Sequence, residues 1–251
     1  MKYVVALVSV APMRKDPSHK SEMVNQILFG EPADVLDESG DFTLIKLNYD
    51  GYEGWVQSSQ LIEVEDKFSE AELLGYSYRK ETTVTLNNSK VQISVATPVY
   101  SNAYFGKYQV DYITEHVLKF DPLAFDGYII KSIALLYQNT PYIWGGKSSF
   151  GIDCSGFTQQ VFKIFDKNIP RDASEQAKEG EGIGFLEEVR CGDLAFFDNE
   201  EGKITHVGLL LNSEEIIHAS GRVRIDRIDT HGIINSDTNQ RTHKLRMIKR
   251  I

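Results

Sequence analysis

Apolar residues in the first part of the chain come in short runs, Tyr3–Val8, Met23–Phe29, Ala33–Leu36, Phe42–Leu47 and Gly54–Val56. Polar or glycine-containing stretches separate them, among them Asp37-Glu38-Ser39-Gly40 and Asn48-Tyr49-Asp50-Gly51. Short runs bounded by turn residues predict strands, and an Asp-Gly pair between two of them predicts a hairpin. The pattern therefore predicts a small SH3-like β-barrel over residues 1–64. The same texture continues less clearly over 65–125, where Val91-Gln92-Ile93-Ser94-Val95 alternates and Val99-Tyr100-Ser101 follows. A second, degenerate SH3-like barrel is expected there.

From Asp126 the period changes. Within Gly127–Gln138, residues Ile129, Ile130, Ile133, Ala134, Leu136 and Tyr137 recur at helical spacing, and Asn139-Thr140-Pro141 ends the run. A second helix is predicted to start near Cys154, with Phe157, Val161, Ile164 and Phe165 on one face and Pro170 beyond its end. Strand-like runs follow at Leu194–Phe197, His206–Leu211, Glu215–Ala219 and Lys244–Ile248. Helices first and strands afterwards predict an α+β domain over 126–251.

Composition narrows the function classes. The formal charge of −9 argues against a nucleic-acid partner, which wants a basic face for counterion release. It argues equally against an anionic membrane surface. The Val-rich start, interrupted at Ser9 and running into Pro12-Met13-Arg14-Lys15, reads as a first strand, and no apolar stretch is long enough to span a bilayer. Cytoplasmic localisation is the expectation for the chain if complete, and an extracytoplasmic one if a leader was trimmed. Two cysteines in 251 residues make no disulfide framework. Cys191, in Val-Arg-Cys-Gly-Asp, reads as a small structural residue at a strand entrance.

Cys154 has a different setting. Tyr142-Ile143-Trp144-Gly145-Gly146 precedes it, and Asp153-Cys154-Ser155-Gly156-Phe157 opens the second helix. A thiol at a helix N-terminus meets the positive end of the macrodipole and free N–H groups, which favour the nucleophilic thiolate. His206, at the mouth of a strand, would serve as its base. His218, at the end of the next strand across the Asn212-Ser213-Glu214 turn, would orient His206. Taken singly, each of the three also reads as an ordinary buried or structural residue. His19, His116, His231 and His243 read as solvated or structural.

Six motifs then stand in one order: Tyr142-x-Trp144-Gly145-Gly146, Asp153-Cys154-Ser155-Gly156-Phe157, Pro170-Arg171-Asp172-Ala173-Ser174-x-x-Ala177, Gly192-Asp193-Leu194-x-Phe196-Phe197, His206-Val207-Gly208 and Ile217-His218-Ala219-Ser220. Over residues 126–251 this order resembles the NlpC family of bacterial cell-wall cysteine peptidases, whose fold is papain-like. SH3-like barrels upstream resemble the layout of γ-D-glutamyl-L-diamino acid endopeptidases of murein recycling.

The resemblance implies Cys154, His206 and His218 as catalytic residues and the Tyr142 hydroxyl, with the Cys154 backbone N–H, as oxyanion donors. It implies Asp172 as partner of a free L-Ala ammonium group, and Asp153, Ser155, Arg171 and Trp144 as further substrate contacts. Asp172 reads equally well as a helix N-cap. Ser21-Glu22-Met23-Val24 and Gly51-Tyr52-Glu53-Gly54-Trp55-Val56 resemble the subgroup's first barrel, which walls the cleft; Glu22 and Tyr52 are the candidates to face it. Trp55 reads as barrel core.

The expected reaction is acyl transfer through a thioester on a murein-derived peptide, releasing L-Ala-γ-D-Glu, by a monomer without metal or cofactor. Other readings are a cell-wall peptide-binding protein, a papain-like acyltransferase or amidase, and a zinc site at Cys154, His206 and His218.

Overall fold

The computed structural model describes residues 2–64, 72–101, 104–119 and 125–251. The chain divides into two compact units, Met1–Phe120 with Trp144–Ser149, and Asp121–Ile143 with Phe150–Ile251. The expected domain limits at 64/65 and 125/126 adjoin 65–71 and 120–124, which lie outside the described residues.

In the first unit, β1 (Tyr3–Ala6), β2 (Val10–Arg14), β3 (Met23–Leu28), β4 (Pro32–Ser39), β5 (Phe42–Leu47), β6 (Glu53–Gln57) and β7 (Leu61–Val64) form one antiparallel sheet in the order β3-β2-β6-β5-β4-β1-β7. The predicted hairpin joins β5 to β6, and Gly51 takes a φ of +71°, which a side chain would strain. Val4, Ala6, Ala11, Met13, Ile27, Ile45 and Val56 fill the core. Trp55, expected there, is only half-buried, while Gly54 lets β6 approach the Met13 side chain. β2 was not predicted, because Pro12 and Arg14 break its apolar pattern.

The rest of this unit comprises β8 (Leu73–Ser77), β9 (Thr83–Leu86), β10 (Ser89–Gln92), β11 (Pro98–Tyr100), β12 (Tyr104–Phe105), β13 (Tyr108–Tyr112) and β14 (Val117–Leu118). They make a four-stranded sheet, β10-β9-β13-β12, and a three-stranded one, β11-β8-β14. Val84, Ile93, Phe105 and Val110 share a core with Val5, Phe29 and Val64. The loop carrying β15 (Lys147–Ser148) is tied to this unit by a buried Lys147–Glu31 ion pair at 3.0 Å and by the Lys147 N–H donating to Gln26 Oε1 at 2.8 Å.

The second unit holds α1 (Gly127–Leu135), β16 (Gly151–Ile152), α2 (Cys154–Lys163) and α3 (Ala173–Gln176). Strands β17 (Glu181–Ile183), β18 (Leu194–Asp198), β19 (Ile204–Leu210), β20 (Glu215–Ser220), β21 (Arg222–Asp229), β22 (Gly232–Ile234) and β23 (Arg241–Arg250) follow. Asp126 caps α1 by accepting from the Tyr128 and Ile129 N–H groups. Helices do precede strands, but strand dominates, and the sheet closes. β18-β19-β20-β21-β22 run in order, and β23 pairs β18 along one edge and β22, then β17, along the other. Ala195, Phe197, Leu210, Ile216, Ile228 and Ile233 fill the closed sheet. Among the described residues, no helix is long and apolar enough to cross a membrane.

Candidate active site

Asp153 starts α2. It takes an extended conformation and its Oδ1 accepts from the Gly156 N–H at 2.7 Å, so Cys154 is the first helical residue. The Asp153 carboxylate is itself gripped by Arg171, whose Nη1 and Nη2 donate to its two oxygens at 3.0 and 2.6 Å, and Nη1 also donates to Ser155 Oγ at 3.0 Å. Gln176 completes the clamp by donating to the Ser155 and Pro170 carbonyls. Asp153, Ser155 and Arg171, expected at the substrate, are thus buried and bonded to one another around the start of α2.

The Val207 and Ser155 N–H groups are directed at the Cys154 sulfur, so the thiol lies against the backbone of the residue that follows His206. The expected thiolate preference is not what this setting produces. Burial first, and then the Asp153 carboxylate, push the Cys154 thiol up to about 12, against the opposing pull of the Val207 N–H, Arg171 and the Ser155 N–H. Removal from water outweighs the helix terminus. Tyr142 lies close to Cys154; burial, followed by the Cys154 and Asp153 charges, raises its phenol to about 12, so it remains a hydrogen-bond donor. Its backbone is fixed by donation from its N–H to the Gly221 carbonyl and by a bridge to Ile152.

The histidines owe their meeting to strand register. Residues directly opposite in a sheet share a face. His206 faces Phe197, Leu210 faces Ile216, and His218 faces Arg224. Counting by twos along each strand puts His206, His218 and Asp226 on the inner face with the apolar core. Gly208, between the first two, has no room for a side chain: a Cβ would come 2.6 Å from Ile216 Cδ1 and 2.8 Å from His218 Cβ. His206 Nε2 and His218 Nδ1 are 2.8 Å apart, and His218 Nε2 is 3.0 Å from Asp226 Oδ2. Both His218 nitrogens are therefore engaged, which leaves neither for a zinc ion.

His243 is one of the four histidines read from the sequence as solvated or structural. It lies on β23, half-buried, stacked on His206 with ring centroids 4.2 Å apart. Burial, with His218 and His243 beside it, holds His206 well below the usual imidazole range. Asp226 was missed altogether, since its partner is defined only by the register of β20 on β21. Burial opposes its ionised form, but hydrogen bonds from His218, the Ser236 N–H and Arg224 outweigh this and keep it well below the usual carboxylate range.

The remaining candidates are spread over both units. Asp172 is exposed, and its side chain does not cap α3; its backbone carbonyl does that work, accepting from the Glu175 and Gln176 N–H groups. In the first unit the exposed Trp144 indole donates to Glu22 Oε1 at 2.8 Å, and Tyr52 packs half-buried against the barrel core. Cys191 packs on Gly127, where an added Cβ would lie 2.9 Å from its own Cβ.

Residues 139–242 match the model of the NlpC/P60 family, and residues 13–61 match the bacterial dipeptidyl-peptidase SH3 domain. The chain is also 32% identical, over 218 residues, to the γ-D-glutamyl-L-lysine dipeptidyl-peptidase of Bacillus subtilis (strain 168), a match covering 77% of this chain and 71% of that protein. The chain belongs to the NlpC/P60 family. It is a cysteine peptidase carrying an SH3 domain. The γ-D-glutamyl-L-lysine dipeptidyl-peptidase of Bacillus cereus (strain ATCC 10987 / NRS 248) is 26% identical over 260 residues, covering 90% of this chain and 77% of that one. The fold of this NlpC/P60 peptidase is similar to the crystal structure of an NlpC/P60 family protein from Bacillus cereus ATCC 10987, with a TM-score of 0.84, 19% identity and 99% of each chain covered. The papain-like catalytic fold expected from the motifs is thereby established.

Proposed function

We propose that this peptidase hydrolyses the γ-D-glutamyl–L-diamino acid bond of murein peptides with a free N-terminal L-Ala, releasing L-Ala-γ-D-Glu for cell-wall recycling. The observation that carries the chemistry is the Cys154 thiol at the start of α2, directed at by the N–H next to His206, with His218 and Asp226 lined up behind. The substrate rests on the two Bacillus relatives named for the bond to lysine. The segment 65–125, of which β8 to β14 are the described strands, is in this reading a second, degenerate SH3-like barrel.

His206 takes the thiol proton as sulfur attacks the γ-carbonyl carbon. The Tyr142 hydroxyl and the Cys154 N–H, which has no partner within a helix at its first position, receive the developing oxyanion. The C–N bond breaks as His206 returns the proton to the departing amine, leaving a thioester on Cys154. Water then gives His206 a proton and attacks the thioester, and sulfur leaves with that proton as thiol. No step needs a metal. Asp172 supplies the negative charge that a substrate ammonium must meet when water is excluded.

The test is mass spectrometry of products from L-Ala-γ-D-Glu-L-Lys, the diaminopimelate analogue, and their N-acetylated forms, with Cys154→Ala as control. Cleavage of the free-amine peptides alone, lost in the variant, is the expected result. Cleavage of acetylated peptides as well would remove the ammonium requirement. Cleavage of none would replace the hydrolase reading by acyl transfer to another acceptor or by peptide binding.

A further inference from the structure

His218 stands between two buried groups, and one of them dictates where the protons sit. An ionised carboxylate only accepts hydrogen bonds. Asp226 is almost fully buried; its Oδ1 accepts from the Ser236 N–H at 2.8 Å and from Arg224 Nη2 at 3.0 Å. Arg224 Nε lies 2.9 Å from Oδ2, which adds a second positive contact. The 3.0 Å contact between Oδ2 and His218 Nε2 is therefore a donation by His218. A neutral His218 that is protonated on Nε2 has its lone pair on Nδ1. The 2.8 Å contact from Nδ1 to His206 is then a donation by His206 Nε2–H. By elimination His206 keeps its own lone pair on Nδ1, the one nitrogen not used by His218.

We infer that Asp226 is a positioning residue of this peptidase: acting through His218, it sets the tautomer of His206, so that Nδ1 takes the Cys154 proton. The same chain also serves the next state. Once His206 is protonated, its Nε2–H still points at His218 Nδ1, and the new charge lies one imidazole away from a carboxylate in the interior of a closed sheet. The groups facing this line are His243 from β23, stacked on His206, and Arg224 on β21, which reaches on to Asp237 at 2.8 Å. Asp226 is only 1% exposed, out of a substrate's reach, so it works through the histidines. The inference rests on the Cys154–His206 chemistry and is independent of which peptide is cut.

Asp226→Asn in the full chain is the test. An amide that turns its NH₂ toward His218 forces Nε2 to accept, moves the His218 proton to Nδ1, and drives the His206 proton from Nε2 to Nδ1. The expected kcat on L-Ala-γ-D-Glu-L-Lys falls by about 10²–10⁴, the range that a positioned general base supplies. KM stays within about threefold, since no substrate contact changes. Nitrogen-15 spectra of histidine-labelled protein are expected to show the His206 proton on Nε2 in the wild type and on Nδ1 in the variant, a signature that lost packing alone does not create. Asp226→Glu, which keeps an acceptor-only group, is expected to retain more activity than the amide.

A wild-type His206 carrying its proton on Nδ1 overturns the inference. So does a folded Asp226→Asn enzyme that keeps both the wild-type tautomer and a kcat within about threefold of wild type. Should the amide variant not fold, the wild-type spectrum still decides. A wild type that leaves this peptide uncut counts against the proposed substrate, while the spectra still decide the role of Asp226.

Discussion

At the scale of single residues, burial pushes the Cys154 thiol up to about 12 and holds His206 below its ordinary value, so the resting proton sits on sulfur. Activity needs His206 unprotonated. The acid limb of kcat/KM is therefore expected below pH 6.5, with a flat profile down to that point. A limb above that value in a pH–rate series would contradict the neutral pair. Stability follows the same sign. His206 and His243 both bind protons more weakly folded than unfolded, His243 being lowered to about 4 by burial first and by His218 second. Their contribution is complete above pH 6.5 and is lost as pH falls through the folded values. Urea midpoints should drop between about pH 7.5 and about pH 5, and drop less in His243→Phe, which keeps the stacked ring but cannot titrate. Gly208→Ala is a steric test: its Cβ must displace β20, and we expect a cost of about 1–3 kcal/mol in thermal unfolding, together with lost turnover. The sequence displayed Cys154, His206 and His218 through the motifs around them. Asp226 had no such marker, because an Asp among Arg224, Ile225 and Arg227 looks solvated until the ladder places it inside.

Among the elements, α2 depends on charge as much as on its apolar face. Tyr137, just past the end of α1, meets Phe157 of α2 edge-on, 5.8 Å between centroids. The helix start is then held by the buried Arg171–Asp153 pair. Breaking such a pair leaves one ion stranded, so Arg171→Met should lower stability by about 3–5 kcal/mol in denaturant titration. Arg171→Lys should also lose stability, since one ammonium cannot reproduce the two-pronged contact. Legibility varied with the pattern of each element. α1 was readable because its buried Ile130, Ile133 and Ala134 keep helical spacing, α2 because its apolar residues do so although all its residues are buried, and β18 to β20 because each is a short, nearly continuous apolar run. β21 was not: Val223 is buried on one face and Asp226 and Ile228 on the other, so no alternation survives in Arg222–Asp229. The closure of the sheet was equally hidden, because it depends on β22 finding β23.

For the molecule as a whole, the first unit has a buried ion pair, Lys147–Glu31, between residues far apart in sequence, and its contact is coulombic rather than a well-aligned hydrogen bond. Lys147→Met alone should cost about 3–5 kcal/mol, whereas adding Glu31→Leu should recover only part of it, because the unmatched charge goes but the buried Leu28 N–H loses its acceptor, Glu31 Oε2. Denaturant unfolding of both variants separates the cases. The order of segments along the chain showed where barrel texture gave way to helix, and the NlpC-type motifs gave the catalytic fold. It could not show that Trp144–Ser149, embedded in the catalytic stretch, belongs with Met1–Phe120. That membership has a genealogical consequence. A gene rearrangement that joined this peptidase to a foreign barrel at residues 120–124 would carry Lys147 along but leave Glu31 behind. Glu31 and Lys147 are therefore expected to be kept or replaced together, although the ribosome makes them far apart.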